Sequence, residues 1–144
     1  MINDETLQHQ FRTIGHRLKT IGDKKLETYN LTIEQARFIG YLFLHEDEGI
    51  SQKDMERAFQ RKGSSISSIV HNLEKKGFIE RKVDMKDERR RIIHVLPKGK
   101  NLVEDFNNFF NEMETTIVNG FNDKEKDALS TMLNKVINNL DYKS

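Results

Sequence analysis

Residues 51–96 constrain the fold more than any other stretch of the chain. Ser51-Gln52-Lys53-Asp54 is a capping box, in which a hydroxyl and a carboxylate three residues on satisfy free backbone N–H groups. It opens a short helix with Met55, Ala58 and Phe59 directed inward. Lys62-Gly63 supplies a turn, Gly63 being free to take dihedrals that other residues resist. A second helix is expected from about residue 64 to 76, closed by Gly77 as a C-terminal glycine. Residues 78–83 and 91–96 then read as two strands around a charged tip at 84–90. Helix, turn, helix, strand, tip, strand is the order of a winged helix-turn-helix.

The faces of the second helix separate cleanly at about 100° per residue. Ile66, Ile69, Val70 and Leu73 converge on one side, the expected core face. Opposite stand Ser64, Ser68, His71 and Lys75, flanked by Ser65, Ser67 and Asn72. Small hydroxyls let a helix approach the floor of a major groove. Ser and Asn can hydrogen-bond base edges or phosphates, His71 can donate to a guanine acceptor, and Lys75 suits a phosphate. A solvated helix face also carries Ser, Asn and Lys, so the helix alone does not decide the matter. Arg89, Arg90 and Arg91, with Lys86 and Asp87 beside them, put guanidinium groups on a hairpin narrow enough for a minor groove; alone such a tip more often just keeps a turn soluble, but following this helix it points to DNA. Asp87 can hold an arginine extended before it meets DNA, which lowers the entropy lost on binding.

Charge distribution agrees. The net charge is only +1, yet residues 51–91 carry twelve lysines and arginines against seven acids, so this segment is +5 and the remainder −4. A basic middle between acidic ends is what a polyanion-binding lobe requires.

Outside this segment the chain reads as helix. Leu7, Phe11, Ile14, Leu18 and Ile21 mark a long helix ending near residues 29–30. Thr32-Ile33-Glu34-Gln35 is a capping box. The helix it opens is apolar on two sides, with Ala36, Ile39, Gly40 and Phe43 on one and Phe38, Tyr41 and Leu42 on the other, so burial at the centre of the subunit is expected. Pro97 starts a fifth helix with a stripe of Leu102, Val103, Phe106, Phe109, Phe110, Met113 and Ile117. Asn122-Asp123 restarts the chain in a last helix with Leu129, Met132, Leu133, Val136, Ile137 and Leu140 on one face.

The expected fold is therefore mostly α, a winged helix-turn-helix at about 32–97 with a two-stranded wing and a helical dimerisation body at about 4–29 and 98–142. No linker divides residues 1–144, so a single domain is expected. Hydrophobic residues make up 35% and charged residues 33%, light on core for this length. The broad apolar helix faces have only a small winged module to cover them. Burying a Phe or Leu is worth roughly 1.5–3 kcal/mol, so pairing these faces across a two-fold axis is the expected solution.

Several classes are excluded or disfavoured. No run of 18 apolar residues exists, and residues 1–5 lack the basic start and apolar stretch of a secretory signal, so a cytoplasmic protein with no membrane partner is expected. With no cysteine, disulfide and thiol chemistry are out. His9, His16, His45, His71 and His94 show no metal-ligand spacing, so no metal is expected. Without a phosphate loop, nucleotide fingerprint or nucleophile elbow, neither a cofactor nor an enzyme is expected. The rivals are a winged helix that contacts a partner protein without direct DNA binding, and a small enzyme.

Asp84-x-Lys86-Asp87-x-Arg89-Arg90 followed by Leu96-x-x-Gly99 resembles the wing signature of the MarR (multiple antibiotic resistance regulator) family, D-x-R-D-x-R and then L-T-x-x-G. Lys86 replaces the first arginine, keeping the charge but losing the planar fork, and Pro97 replaces the threonine. The resemblance covers nearly the whole chain. It implies that the first and last helices interlock two subunits in a homodimer on double-stranded DNA with a pseudo-palindromic operator. It implies a repressor of a drug-efflux or stress operon, released by a hydrophobic small-molecule inducer, cations included. The family's ligand cleft lies between dimer body and winged lobe. The residues it implies here are Phe11, Ile14, Leu18, Phe38, Tyr41, Phe106, Phe109, Phe110 and Met113. An aromatic stripe at helical spacing is more often plain core than pocket.

Overall fold

In the computed structural model, which describes residues 5–141, each polar cap is followed by a helix. The outermost residues of the expected body segments, 4 and 142, lie outside the described residues. The Thr6 hydroxyl accepts from His9 N–H at 3.1 Å and opens α1 (Leu7–Glu27). Asn30 takes a left-handed φ of 55° in the turn beyond α1. Thr32 and Gln35 then form the expected reciprocal capping box, both bonds 3.1 Å, and start α2 (Ile33–Leu44). A 3₁₀ turn, Glu46–Glu48, which the sequence reading did not anticipate, ends at Gly49 with φ 68°.

The winged module follows in the expected order: α3 (Gln52–Phe59), α4 (Gly63–Lys75), β1 (Ile79–Val83) and β2 (Arg91–Val95). The strands are antiparallel, with Ile79 opposite Val95 and Val83 opposite Arg91. α4 closes in a Schellman motif: Phe78 N–H donates to Leu73 C=O and Gly77 N–H to Glu74 C=O, with Gly77 at φ 83°. Ile93 N–H donates to Ile50 C=O at 2.8 Å, and Ser51 bridges to Ile92, so the base of the wing is pinned to the start of α3.

One core holds this module together. Phe38, Ile39 and Leu42 of α2 meet Met55 of α3, Ile66, Val70 and Leu73 of α4, Phe78, and Ile79, Ile92, Ile93 and Val95 of the wing. α5 (Pro97–Ile117) enters it through Gly99 and Leu102. A Cβ on Gly99 would stand 2.6 Å from a Val95 methyl and 2.7 Å from the Phe78 carbonyl oxygen, so the glycine of the wing signature is a packing requirement.

Three local expectations need correction. Phe43 is 40% exposed, so α2 is not buried on both sides. Ala58 faces outward, because an eight-residue helix held at Met55 and Phe59 has too narrow an inner face to include it. Gly63 is the first residue of α4 rather than a left-handed turn; Gln60, at φ 51°, takes that conformation. A side chain at Gly63 would instead run into the Glu56 carboxylate.

The chain divides into two compact units, Met1–Val103 and Glu104–Ser144. In the first, α1 buries only Leu26, and its stripe of Leu7, Phe11, Ile14, Leu18 and Ile21 is 39–69% exposed. In the second, α5 continues to Ile117 and is followed by α6 (Asp123–Asn139), which starts at an Asn122–Glu125 capping box. α6 buries no residue; Met132, Leu133 and Ile137 are all exposed. An open groove of about 890 Å³ runs beside Ile117, Phe121, Leu129 and Leu133.

Candidate nucleic-acid interface

The outer face of α4 is built as its periodicity requires. Ile66, Val70 and Leu73 are fully buried and Ile69 half-buried, and this anchors the helix by one side. Ser64, Ser65, Ser67, Ser68, His71, Asn72 and Lys75 are all exposed. The Ser68 hydroxyl donates to Ser64 C=O at 3.1 Å, which holds it against the helix and leaves its oxygen lone pairs outward. Arg81 grips Glu74 through two bonds of 2.9 and 3.3 Å, tying β1 to the last turn of α4. Lys76 Nζ donates to Asn30 C=O at 2.7 Å, and Lys98 Nζ to Lys76 C=O at 2.7 Å. The helix is therefore fixed at its inner face and at its C-terminus.

The wing tip is ordered by its own carboxylates. Asp84 Oδ1 accepts from Lys86 N–H at 3.0 Å and Asp87 Oδ1 from Arg89 N–H at 3.1 Å. Asp87 Oδ1 also stands 3.5 Å from Arg89 Nε, while the Arg89 side chain is 93% exposed. This is the extended arginine beside a carboxylate that the sequence implied. Lys86 and Arg91 are exposed as well.

Arg90 behaves differently. Its guanidinium turns back to Asp54 Oδ2 at 2.6 Å and to Gly49 C=O at 3.0 Å, with Asp84 Oδ2 3.9 Å away. It clamps the wing to α3 instead of standing free beside Arg89, because a carboxylate already fixed at the α3 N-terminus outcompetes solvent. Asp54 also accepts from Ser51 N–H at 2.8 Å, from the Ser51 hydroxyl at 3.0 Å, and from Arg57. Partial burial by itself would raise this carboxyl. The bonds from Ser51, Arg57 and Arg90 outweigh that and hold it at about 2, below its ordinary 3.8.

Between α3 and the wing lies a hollow of about 500 Å³ lined by Lys53, Arg57, Arg81, Arg89, Arg90 and Arg91, with Asp54 and Asp87 the acids. No motif on α3 marks a site residue in the sequence. Lys53 and Arg57 were visible only as part of the basic excess; what brings them to the wing is the bond between Ile93 and Ile50 and the Arg90 clamp. Among the described residues, Lys53, Lys62, Lys75, Lys86 and Arg91 form no ion pair, so their charge is available to a polyanion.

The aromatic candidates fall into separate groups. Phe38 is fully buried and stacks on Phe59, with centroids 5.6 Å apart, so it is core of the winged module rather than a pocket wall. Tyr41 is half-buried, edge-on to Phe59 at 5.6 Å and against His45 at 4.2 Å. Phe11, Ile14 and Leu18 lie on the exposed stripe of α1. In the second unit Phe106, Phe109 and Phe110 cluster with centroids 5.8–6.4 Å apart, Phe110 being 56% exposed and Met113 half-buried. Among the described residues no group of His, Asp and Glu could hold a metal ion, and no helix is long and apolar enough to cross a membrane.

A recognition-type helix with an exposed polar face, braced beside an arginine-tipped hairpin, defines a winged helix-turn-helix transcriptional regulator. The family model for the transcriptional regulators SarA/Rot matches residues 20–106. A MarR-family transcriptional regulator from Clostridium acetobutylicum is 41% identical, with 92% of this chain and 97% of that one superposed at a TM-score of 0.82. The chain belongs to the SarA/Rot transcriptional regulators and shares the MarR family with the clostridial protein. Staphylococcus aureus MepR, in its DNA complex, is 38% identical over 93% of this chain and 99% of that one, at a TM-score of 0.88. MepR has also been solved bound to ethidium bromide. The regulator BilQ of Clostridium symbiosum is 27% identical over 95 residues, 66% of each protein.

Proposed function

We propose that the chain is a homodimeric, DNA-binding repressor in the cytoplasm that reads a pseudo-palindromic operator. In this reading α4 enters the major groove through Ser64, Ser65, Ser67, Ser68, His71, Asn72 and Lys75. The wing reaches the adjacent minor groove through Lys86, Arg89 and Arg91, with Asp87 preorganising Arg89 and Arg90 bracing the wing. Lys53 and Arg57 meet the phosphate backbone beside it. The observation that carries the reading is the exposure of the whole polar face of α4 beside an outstretched Arg89. The apolar stripes of α1 and α6, exposed in the single chain, are the surfaces two copies would share.

The repressor is released by hydrophobic and cationic small molecules, with Phe106, Phe109 and Phe110, beside Met113, as the aromatic group that receives them. MepR, described as a regulator of the multidrug efflux pump MepA, supports an efflux operon as target and a planar cation as ligand. The role is binding, not catalysis.

The test is a titration of the purified protein against duplexes selected from a random-sequence pool, across a salt series. Log affinity should fall steeply with log salt as counterions are released. A flat response would favour a protein partner instead. Ethidium should lower DNA affinity, and the duplex should weaken ethidium binding by the same factor, typically about 5–150-fold.

A further inference from the structure

Between residues 45 and 109 only two large hydrophobic side chains are exposed, and both belong to the wing: Val83 at 53% and Met85 at 99%. Every other large apolar side chain in that stretch is drawn into the core or half-covered. The tip also leaves Met85 no internal partner to find. Asp84 N–H donates to Arg90 C=O at 2.8 Å and Arg90 N–H to Asp87 C=O at 2.9 Å, which closes the turn. The two aspartate side chains are spent on Lys86 N–H and Arg89 N–H. Met85 is thus held outward on a fixed turn, next in sequence to Lys86 and four residues from Arg89.

We propose that Met85 is an apolar contact of the wing with DNA, packing its thioether against the deoxyribose walls of the minor groove into which Arg89 reaches. The proposal rests on the DNA-binding reading above and adds a residue that no charge argument would find. The surroundings select DNA as the occupant. Exposed Lys86, Arg89 and Arg91 outnumber the exposed acid Glu88, which fits a groove of negative potential and disfavours a purely apolar partner. Methionine is unbranched and polarisable, so it adapts to an uneven surface. Apolar side chains directed into the minor groove are an established way of adding contact there without reading base-edge hydrogen bonds.

An apolar contact and an ionic one leave different signatures. A lysine or arginine on a phosphate releases counterions, so its removal lowers the salt dependence of binding. Burying a thioether displaces water only, so its removal weakens binding by the same factor at every salt concentration. Met85→Ala and Met85→Gln should each lose about tenfold in affinity for a duplex selected by the wild-type protein, a fraction of what full burial of a methionine provides. The slope of log affinity against log salt should be unchanged, and Met85→Leu should bind like wild type. At 99% exposure none of these substitutions touches the core, and helix content serves as the folding control. Wild-type affinity for Met85→Ala alongside weakened Arg89→Ala would overturn the Met85 contact and leave the wing in place. A loss accompanied by a shallower salt slope would also overturn it, since the effect would then be electrostatic. If the wild-type protein shows no salt-dependent binding to any selected duplex, the DNA reading itself fails and Met85 with it.

Discussion

Asp54→Asn tests the joint that sets the wing. The native carboxyl titrates near 2 against an ordinary 3.8, a difference worth about 2 kcal/mol of stability at neutral pH. Its side chain is 22% exposed, so solvent screening removes little of this. Asparagine keeps an acceptor for Ser51 N–H and so preserves the α3 cap. What it removes is the charge that draws in Arg57 and Arg90. Denaturant unfolding at pH 7 and fixed protein concentration should show a loss of about 1–2 kcal/mol, somewhat below the full linkage value because neutral hydrogen bonds persist. The native pKa is depressed, so the stabilisation is complete above the unfolded value near 4 and declines as pH falls toward 2. The gap between wild type and variant should therefore narrow by about 1 kcal/mol at pH 3. DNA affinity should fall as well, because Arg90 no longer pins the wing. An unfolding midpoint equal to wild type at pH 7, or a gap that stays constant between pH 7 and pH 3, would refute the account of Asp54.

Arg89→Ala should weaken DNA binding by about 1–3 kcal/mol with helix content and assembly intact, as read by fluorescence anisotropy. Ser68→Glu or His71→Glu should abolish binding by placing a carboxylate against acceptor-rich base edges, and unchanged affinity in either would take α4 out of the groove. Gly99→Ala should cost about 1–3 kcal/mol in thermal or denaturant unfolding, because the Phe78 carbonyl oxygen 2.7 Å from the new Cβ is backbone that cannot step aside. The chain should sediment as a dimer at micromolar concentration, and removing the residues after Asn122 should cause aggregation; a soluble folded monomer would contradict the role given to α6.

Much of this protein follows from local pattern, and the elements recovered from sequence are those whose signals span a few residues. The capping boxes at Thr32 and Ser51 form as their spacing requires, and the last helix starts at Asn122 as expected. The split of α4 into a buried Ile66-Val70-Leu73 side and an exposed serine side is a consequence of helical periodicity alone. The wing, with Asp87 beside an extended Arg89, is equally local, since both groups belong to one seven-residue turn. What sequence left open are the pairings made across the fold. Arg89, Arg90 and Arg91 are indistinguishable as a string, yet Arg90 alone turns inward, because its acceptors lie 36 and 41 residues upstream. Lys53 and Arg57 join the basic surface only once β2 is pinned to the residues before α3. Phe38 and Phe43 lie on the two apolar sides of α2, both expected to be buried; stacking on Phe59 accompanies full burial of the first, while the second is left 40% exposed. Periodicity assigns a side chain to a face, whereas the partner on that face is a property of the tertiary arrangement.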